Sequence, residues 1–563
     1  MKFWFLLFSA AVALNIIVGL PQWPGVLAGH LNDPDSYMRL VRIYDGVHAG
    51  HLTNMVSGVV VEWSRLMDAG LWALAAPLAA VLDWKPALFA AGVASGPLIA
   101  GLFAVALAFV AEPFVARRFL WIMPPATALL PALKNYAAPG VVTHHILLLA
   151  LIALTAGCVA RADRHDTGWN FLAGVCGGFA VWLTPETMPF VLLCYGLLFA
   201  RWLERPDGVG LAACGAGFVD VLGFGFAIDP PVGGYAVVET DRLSIVFVAL
   251  GLAVFLAGVL AWRLERLADR RLRRAAGLFG ALLLVGGWLA LFPKVAAGPY
   301  GLLDAAQAAA FFGVIGEMQP AAATPTSFGD LWPGILGLVI AASICARRRD
   351  WAWWYALAGL VLAFVLGVKF LRFAPVSTAA GAVLAALALQ KLSAHFADRP
   401  VPAALARVSL VALLFVAPYL PAYAHRGAAA QTAAPACDLR AFAPALAPAA
   451  GTIVLADVND TPELLWRSDV VPVGSLYHHG IAGFMRLRAA WRAPGAGAAA
   501  PGAVTTTGAR YVLACWGAGR TLLVADLPKT TLWDALTTGT PPPWLRPVAS
   551  ASGDRLYKII PGG

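Results

Sequence analysis

The sequence predicts a polytopic α-helical membrane protein with about thirteen transmembrane helices, followed by a small exported α/β domain at the C-terminus. Three observations carry this expectation. Of 563 residues, 60% are AVILMFWYC and only 13% are charged, about half of the ~25% charged content usual in soluble domains. The apolar residues fall into windows of ~20, the length that crosses a hydrocarbon core. Past residue 424 the composition turns to Ala and Pro and then to short strand-like runs.

The first window is 3–22. Met1-Lys2-Phe3 followed by an apolar run to Leu20 has the outline of a signal peptide, but Pro21-Gln22-Trp23-Pro24 is not a small-residue cleavage site, so a retained helix is expected. The remaining windows are 86–111, 118–133, 143–160, 169–184, 187–203, 208–228, 243–262, 275–292, 330–346, 351–368, 374–392 and 404–424. With Lys2 inside, alternation puts every basic cluster inside: Arg117-Arg118, Arg161 with Arg164, Arg201 with Arg205, Arg263 to Arg274, Arg347-Arg348-Arg349, and Lys391 with Arg399. The net charge of +9 is thus a topology signal and not a nucleic-acid footprint. An odd number of spans exports the tail, and the expected location is a bacterial inner membrane with the N-terminus inside and the C-terminal domain in the periplasm.

Residues 1–424 form the expected membrane domain, 425–436 a linker and 437–563 the exported domain. In the tail, Thr452 to Ala456 and Arg510 to Ala514 read as strands, Pro462 to Arg467 and Ile481 to Trp491 as helices, and 493–502 as a flexible insertion. Five cysteines lie in apolar stretches; Cys437 and Cys515 lie in the polar tail and are the expected disulfide. In an oxidising compartment such a bridge is worth about 4 kcal/mol.

Two long outside segments, 23–85 and 293–329, are the candidates for chemistry. In the first, Asp33-Pro34-Asp35 spaces two carboxylates i, i+2. Such a pair holds a divalent cation or supplies a general base, and Asp-Pro is also ordinary turn chemistry. Glu62-Trp63-Ser64-Arg65 follows, which as a helix at the membrane surface would set Trp63 in the aromatic belt and Arg65 on headgroups. Thr143-His144-His145 stands at the mouth of the fourth span; neighbours on a helix point about 100° apart, so at most one is a metal ligand. Glu186 reads as a helix-start carboxylate next to a macrodipole. The second segment carries Tyr300 and then Glu317 in an apolar loop that could close over substrate. Arg372, at the outer end of the eleventh span, is costly there unless it meets an anion, and phosphate is the natural guest of a guanidinium.

Asp33-Pro34 with Tyr37 and Arg39 is similar to the D-P-x-x-x-Y-R stretch, and Val314-Ile315-Gly316-Glu317-Met318-Gln319-Pro320 looks like the S-V-S-E-H-Q-P loop, of the oligosaccharyltransferase catalytic subunits, integral-membrane glycosyltransferases of the GT-C fold. Their order and spacing match over some 420 residues. The resemblance implies Asp33 as a metal-binding and base-like carboxylate, Glu317 as the loop carboxylate reaching the same metal, and Arg372 as the holder of a lipid pyrophosphate. It places His145 where the family also uses histidine, so Asp33, His145 and Glu317 are the expected ligands of a divalent cation, Mg or Mn. Asp35, Arg39, Arg65, His144 and Tyr300 complete the expected substrate contacts. The match breaks at Thr143, neutral where an acid is expected, and at the tail, where no W-W-D acceptor motif occurs and Leu476-Tyr477-His478-His479-Gly480 stands instead. His478 or His479 contacts the acceptor or caps the cavity on this view; exposed loop histidines are the plainer alternative.

The expected activity is transfer of a sugar or oligosaccharide from a polyprenyl phosphate or pyrophosphate to a protein or glycan acceptor at the outer face, with membrane lipid as the surroundings and no nucleic-acid partner. A catalytically silent scaffold that binds polyprenyl-linked glycan is the alternative that Thr143 motivates. A lipid-linked glycan transporter is disfavoured, because the ionisable residues gather at the outer ends of the spans and not at the midplane.

Overall fold

The computed structural model describes the chain except residues 52, 163–166, 299, 324–326, 349, 422–436, 516–519, 552 and 561–563. The expected linker 425–436, Arg164, Pro299 and Arg349 lie outside the described residues.

Long apolar helices dominate the chain as far as Tyr419, interrupted by short helices, 3-10 turns and a small ribbon. Among the described residues nine are long and apolar enough to cross a membrane, or ten if Lys2–Val18 and Leu20–Leu27, bent by 48°, count as one span. The expected thirteen is not reproduced by length and composition alone, for two physical reasons. The 118–133 window is broken by Pro124, Pro125 and Pro131 into a 3-10 turn Arg117–Ile122 and two short helices, Met123–Leu129 and Pro131–Ala137. Helices His145–Arg161 and Thr167–Leu183 have 17 residues each, about 26 Å at ~1.5 Å per residue, at the lower limit of the roughly 17–25 residues that cross a ~30 Å hydrocarbon core.

The helix ends sort by charge. Arg161 donates to the carbonyl of Phe109 at 2.5 Å and to Glu112 at 2.9 Å, Arg201 to Val159 at 2.8 Å, and Arg274 to Leu203 at 2.6 Å. These hydrogen bonds gather the basic clusters at one end of the bundle. His144, Glu186, Asp241 and Arg372 meet at the other, around one cavity.

The segment between the first two long helices builds that second end. Asp33 caps the Pro34–Ala49 helix by accepting the Asp35 N–H at 2.7 Å, Pro34 supplies the preset first turn, and Gly50, at φ 76°, ends the helix in the left-handed region. A two-stranded ribbon, β1 (Met55–Val56) and β2 (Val59–Val60), leads to the Arg65–Ala79 helix. Asp68, in its first turn, lies buried between Arg39, at 2.7 Å, and Arg42. Arg42 also donates to the carbonyls of Trp63 at 2.7 Å and Ser64 at 3.0 Å. Asp68→Asn leaves two buried guanidiniums without a counter-charge, and a loss of about 3 kcal/mol is expected. Denaturant unfolding in detergent measures it, and a loss below about 1 kcal/mol would mean that the pair is hydrated.

The C-terminal residues form a five-stranded sheet of β3 (Ile453–Leu455), β4 (Val471–Pro472), β5 (Tyr511–Ala514), β6 (Leu545–Ala551) and β7 (Asp554–Ile559), in the order β4-β3-β5-β7-β6. β3 runs parallel to β4 and β5, joined through helices Thr461–Arg467 and Ile481–Arg492; β7 pairs antiparallel with β5 and β6. One face is covered by Phe484, Leu487 and Trp491, the other by Leu439, Phe442 and Leu464. Cys437 and Cys515 form a disulfide with Cα atoms 5.5 Å apart. The 493–502 stretch is not a free insertion: Pro494 bridges to Thr531, and the Leu532 N–H donates to Ala493 O at 2.7 Å. Gly495 packs where a larger side chain would not, since an added Cβ would meet Thr531 O at 2.5 Å.

This domain is seated on the membrane helices. Phe311 and Val314, from the 293–329 segment, belong to the same apolar cluster as Phe484 and Leu455, so that segment is packed under the domain and not suspended as a loop. Trp466 and Tyr477 pack with Tyr37, Met38 and Leu40, and Lys85 donates to the Trp466 carbonyl at 3.2 Å.

Candidate active site

A cavity of about 80 Å³ lies where the sheet domain meets the helix ends, walled by Asp35, Glu62, Glu186, Asp241, Glu317 and Arg372 with His144, Tyr300, Tyr477 and His478. Five carboxylates and one guanidinium share this small space, so its electrostatics are decided by who pairs with whom.

Arg372 stands in a 3-10 turn after the Trp351–Lys369 helix. Its Nε donates to Glu186 Oε2 at 2.7 Å and its Nη1 to Glu317 Oε1 at 2.5 Å, which leaves Nη2 for a third partner. Glu317 also accepts from Tyr136 Oη at 2.9 Å and lies 3.5 Å from His145 Nε2. Burial alone would raise its carboxyl, but Arg372 and His145 hold it below the ordinary value. Glu186 is thus no mere helix-start carboxylate; with Glu317 it clamps the arginine in one orientation, and the Tyr300 hydroxyl reaches it at 3.5 Å.

Across the cavity, Asp35 Oδ1 accepts from Tyr477 Oη at 3.0 Å. Burial, together with the neighbouring Asp33 charge, pushes the Asp35 carboxyl up to about 8. Burial, with Glu317 adding, pushes Asp33 up to about 6, against the lowering effect of the Asp35 N–H. An acid whose pKa is higher folded than unfolded binds more protons in the folded chain between the two values, so its contribution to stability falls as pH rises. For Asp35 that window runs from 3.8 to about 8. In EDTA, the thermal midpoint of Asp35→Asn relative to the parent should therefore rise between pH 4 and pH 8, and a pH-independent difference would contradict the burial of this carboxyl.

The expected cation ligands do not converge. Asp33, His145 and Glu317 form no group with ligand atoms within 4.8 Å of one another among the described residues. Glu317 is turned to Arg372, and the His145 ring is stacked on Tyr136, centroids 4.3 Å apart. Two expected substrate contacts are also elsewhere: neither Arg39 nor Arg65 lines the cavity. Arg39 is held by Asp68, donates to His144 Nδ1 at 3.3 Å and lies over Trp63 at 4.5 Å, so it orients cavity residues from behind. Trp63 is accordingly a wall of the cavity and not a membrane-belt residue. Arg65 meets Asp229, its backbone N–H donating at 2.8 Å, on a carboxylate shared with Arg242 and Trp182.

The tail histidines are the main addition. His478 Nε2 and His479 Nε2 lie 2.7 and 2.6 Å from the same oxygen, Asp241 Oδ2, and His478 Nδ1 faces Glu62 Oε1 at 3.5 Å. Burial opposes the charged form of His478, but Glu62 and Asp241 more than offset it and push the imidazole up to about 10.

From Arg372 an apolar path leads away between the helices. A small cavity walled by His145, Leu149, Glu186, Arg372 and Val376 adjoins one of about 490 Å³, with Leu149 and Val376 lining both. The larger is bounded by apolar side chains such as Ala153, Leu197, Leu360 and Leu387.

No protein-family model and no curated protein matches the chain. Solved structures do. An archaeal oligosaccharyltransferase, AglB from Archaeoglobus fulgidus, in complex with an inhibitory peptide and a dolichol-phosphate, superposes with a TM-score of 0.70 at 14% identity, covering 91% of this chain and 69% of that one. The Archaeoglobus fulgidus oligosaccharyltransferase in complex with Zn and sulfate gives 0.64 at 15% identity, over 91% and 67%. The same enzyme tethered to an acceptor peptide containing the NVT sequon gives 0.64 at 15%, over 91% and 68%. The fold is that of an oligosaccharyltransferase-type GT-C protein.

The cavity residues come from both long segments between spans, Asp35 from 23–85 and Tyr300 and Glu317 from 293–329; Asp33 is buried behind Asp35 and does not line the cavity. The partners missed in the sequence are Glu62, Glu186, Asp241, Tyr136 and Tyr477. A signal existed for one of them: Glu239-Thr240-Asp241-Arg242 is a charged cluster directly ahead of the Ile245–Leu264 span, and ionisable residues at such a place are expensive unless used.

Proposed function

We propose that this protein is a membrane glycosyltransferase that moves a sugar or oligosaccharide from a polyprenyl phosphate or pyrophosphate to an acceptor at the outer face of a bacterial inner membrane. The observation that carries the reading is the placement of Arg372. A guanidinium clamped by two carboxylates stands at the head of an apolar path, across a cavity from Asp35, with Asp33 buried beside Asp35. The path suits an isoprenoid chain, and the guanidinium suits the phosphate of the leaving group. Asp33 is the base for the acceptor nucleophile, and a single displacement inverts the anomeric carbon. Tyr477 and Asp35 border the acceptor side, and residues 437–563 close the cavity from outside the membrane.

A divalent cation, Mg or Mn, fits the donor chemistry of Asp33 and Asp35, two neighbouring carboxyls that offer hard oxygen donors. Bound there, it supplies charge neutralisation for the departing phosphate. Arg372, Glu186 and Glu317 orient that phosphate without it. Thr143, neutral and buried with no hydrogen-bond partner for its hydroxyl among the described residues, favours a second reading, a scaffold that binds the lipid-linked glycan without transfer.

Mass spectrometry of lipid-linked saccharides and envelope glycoconjugates from cells lacking the gene separates these. Build-up of a complete lipid-linked glycan with loss of its conjugate means oligosaccharide transfer, and a glycan short by one sugar means single-sugar transfer. No change in either contradicts the transferase.

A further inference from the structure

One buried cluster is not used by the transfer reaction. His478 and His479 sit in a 3-10 turn of the sheet domain, Asp241 in the segment between helices Gly208–Ile228 and Ile245–Leu264, and Glu62 just ahead of the Arg65–Ala79 helix. Three parts of the chain remote in sequence thus deliver two imidazoles and two carboxylates to one point. We infer that Asp241, His478 and His479 form a three-ligand site for a borderline divalent cation of the zinc class, with Glu62 orienting His478 from behind.

The donor atoms argue for it. Both Nε2 atoms are aimed at Asp241 Oδ2, and the three ligand atoms lie within 4.8 Å of one another. Ligands of tetrahedral zinc sit about 2.0–2.2 Å from the ion and so roughly 3.3 Å apart, which small side-chain rotations supply from the present 2.6 and 2.7 Å. Among the described residues, Asp241 Oδ1, Glu62 Oε2 and His478 Nδ1 are buried without hydrogen-bond partners, an arrangement costly in a purely structural polar cluster. An ion on His478 Nε2 fixes the tautomer with the proton on Nδ1, which then donates to Glu62 Oε1, now 3.5 Å away; carboxylates behind metal-bound imidazoles serve this purpose widely. Two imidazole nitrogens select a zinc-like ion over Mg or Ca.

The site is open. Asp241, His478 and Glu62 line the same cavity as Arg372 and Asp35, so a fourth position faces the substrate space, as in zinc sites that bind an exogenous ligand. The ion would also tie the sheet domain to the membrane helices at the cavity wall. It is distinct from the cation proposed at Asp33 and Asp35, and its test needs no transfer assay.

The experiment is Co²⁺ titration of the full-length protein in detergent after EDTA treatment, followed by visible absorption. The wild type and Asp33→Asn are both expected to take up one equivalent with the intense band of four- or five-coordinate cobalt. His479→Gln, at the more exposed of the two rings, and the shape-conserving Asp241→Asn are expected to lose that band or bind at least tenfold more weakly, with thermal midpoints confirming that they fold. No band in the wild type, an undiminished band in both ligand variants, or loss in Asp33→Asn with retention in His479→Gln would each overturn the site.

Discussion

Arg372→Ala is expected to remove polyprenyl phosphate binding and to destabilise the outer end of the helix bundle at once. The guanidinium is largely buried and carries two carboxylates, Glu186 at 2.7 Å and Glu317 at 2.5 Å. Removing it leaves both facing each other in a medium too poor in water to solvate them, and breaking a buried pair in this way costs about 3–5 kcal/mol. The lipid loses a charge-assisted hydrogen bond worth about 1.5–3 kcal/mol, or roughly 10–100-fold in affinity. Arg372→Lys separates the two effects. Its ammonium keeps the charge but lacks the planar fork that spans two carboxylates and a phosphate, so stability should return further than lipid affinity does. Quantifying co-purified polyprenyl phosphate by mass spectrometry against the unfolding midpoint reads both. Full lipid retention in the alanine variant would take the phosphate away from Arg372.

Asp33→Asn is expected to lower kcat/KM by about 10²–10⁴-fold, the usual worth of a positioned general base, with no comparable loss of stability. The substitution is chosen because Asp33 has two jobs. It caps the Pro34–Ala49 helix through one oxygen, and Asn caps about as well as Asp. Removing only the charge therefore spares the helix that carries Asp35, Tyr37 and Arg39. The unfolding midpoint and lipid retention should match the wild type. A midpoint that collapses with activity would mean that Asp33 matters as a cap alone.

The helical membrane architecture was legible because hydropathy and length act locally: every apolar window contains helix, and the 118–133 window is broken at visible prolines. The tail strands at 453–455 and 511–514 were legible for the same reason, as short β-branched runs between turn residues. What local pattern cannot carry is pairing. Arg39 and Arg65 look equally available in the sequence, yet one is matched to Asp68, 29 residues away, and the other to Asp229, 164 residues away. Glu186 satisfies every local expectation of a helix-start carboxylate, and only the approach of Arg372, 186 residues on, makes it part of the site. The tail histidines, whose plainer reading was exposed loop residues, show the same limit. They stand in a 3-10 turn ahead of the Ile481–Arg492 helix, where both rings reach one carboxylate from a distant segment.

The most direct test of the account is the release of polyprenyl phosphate or pyrophosphate by the purified protein given lipid-linked saccharide and envelope acceptor material, followed by mass spectrometry of both products. The account predicts release matched by sugar on the acceptor, lost in Asp33→Asn while that variant still binds the lipid. Equal release by wild type and Asp33→Asn, or lipid binding without release by either, would contradict it.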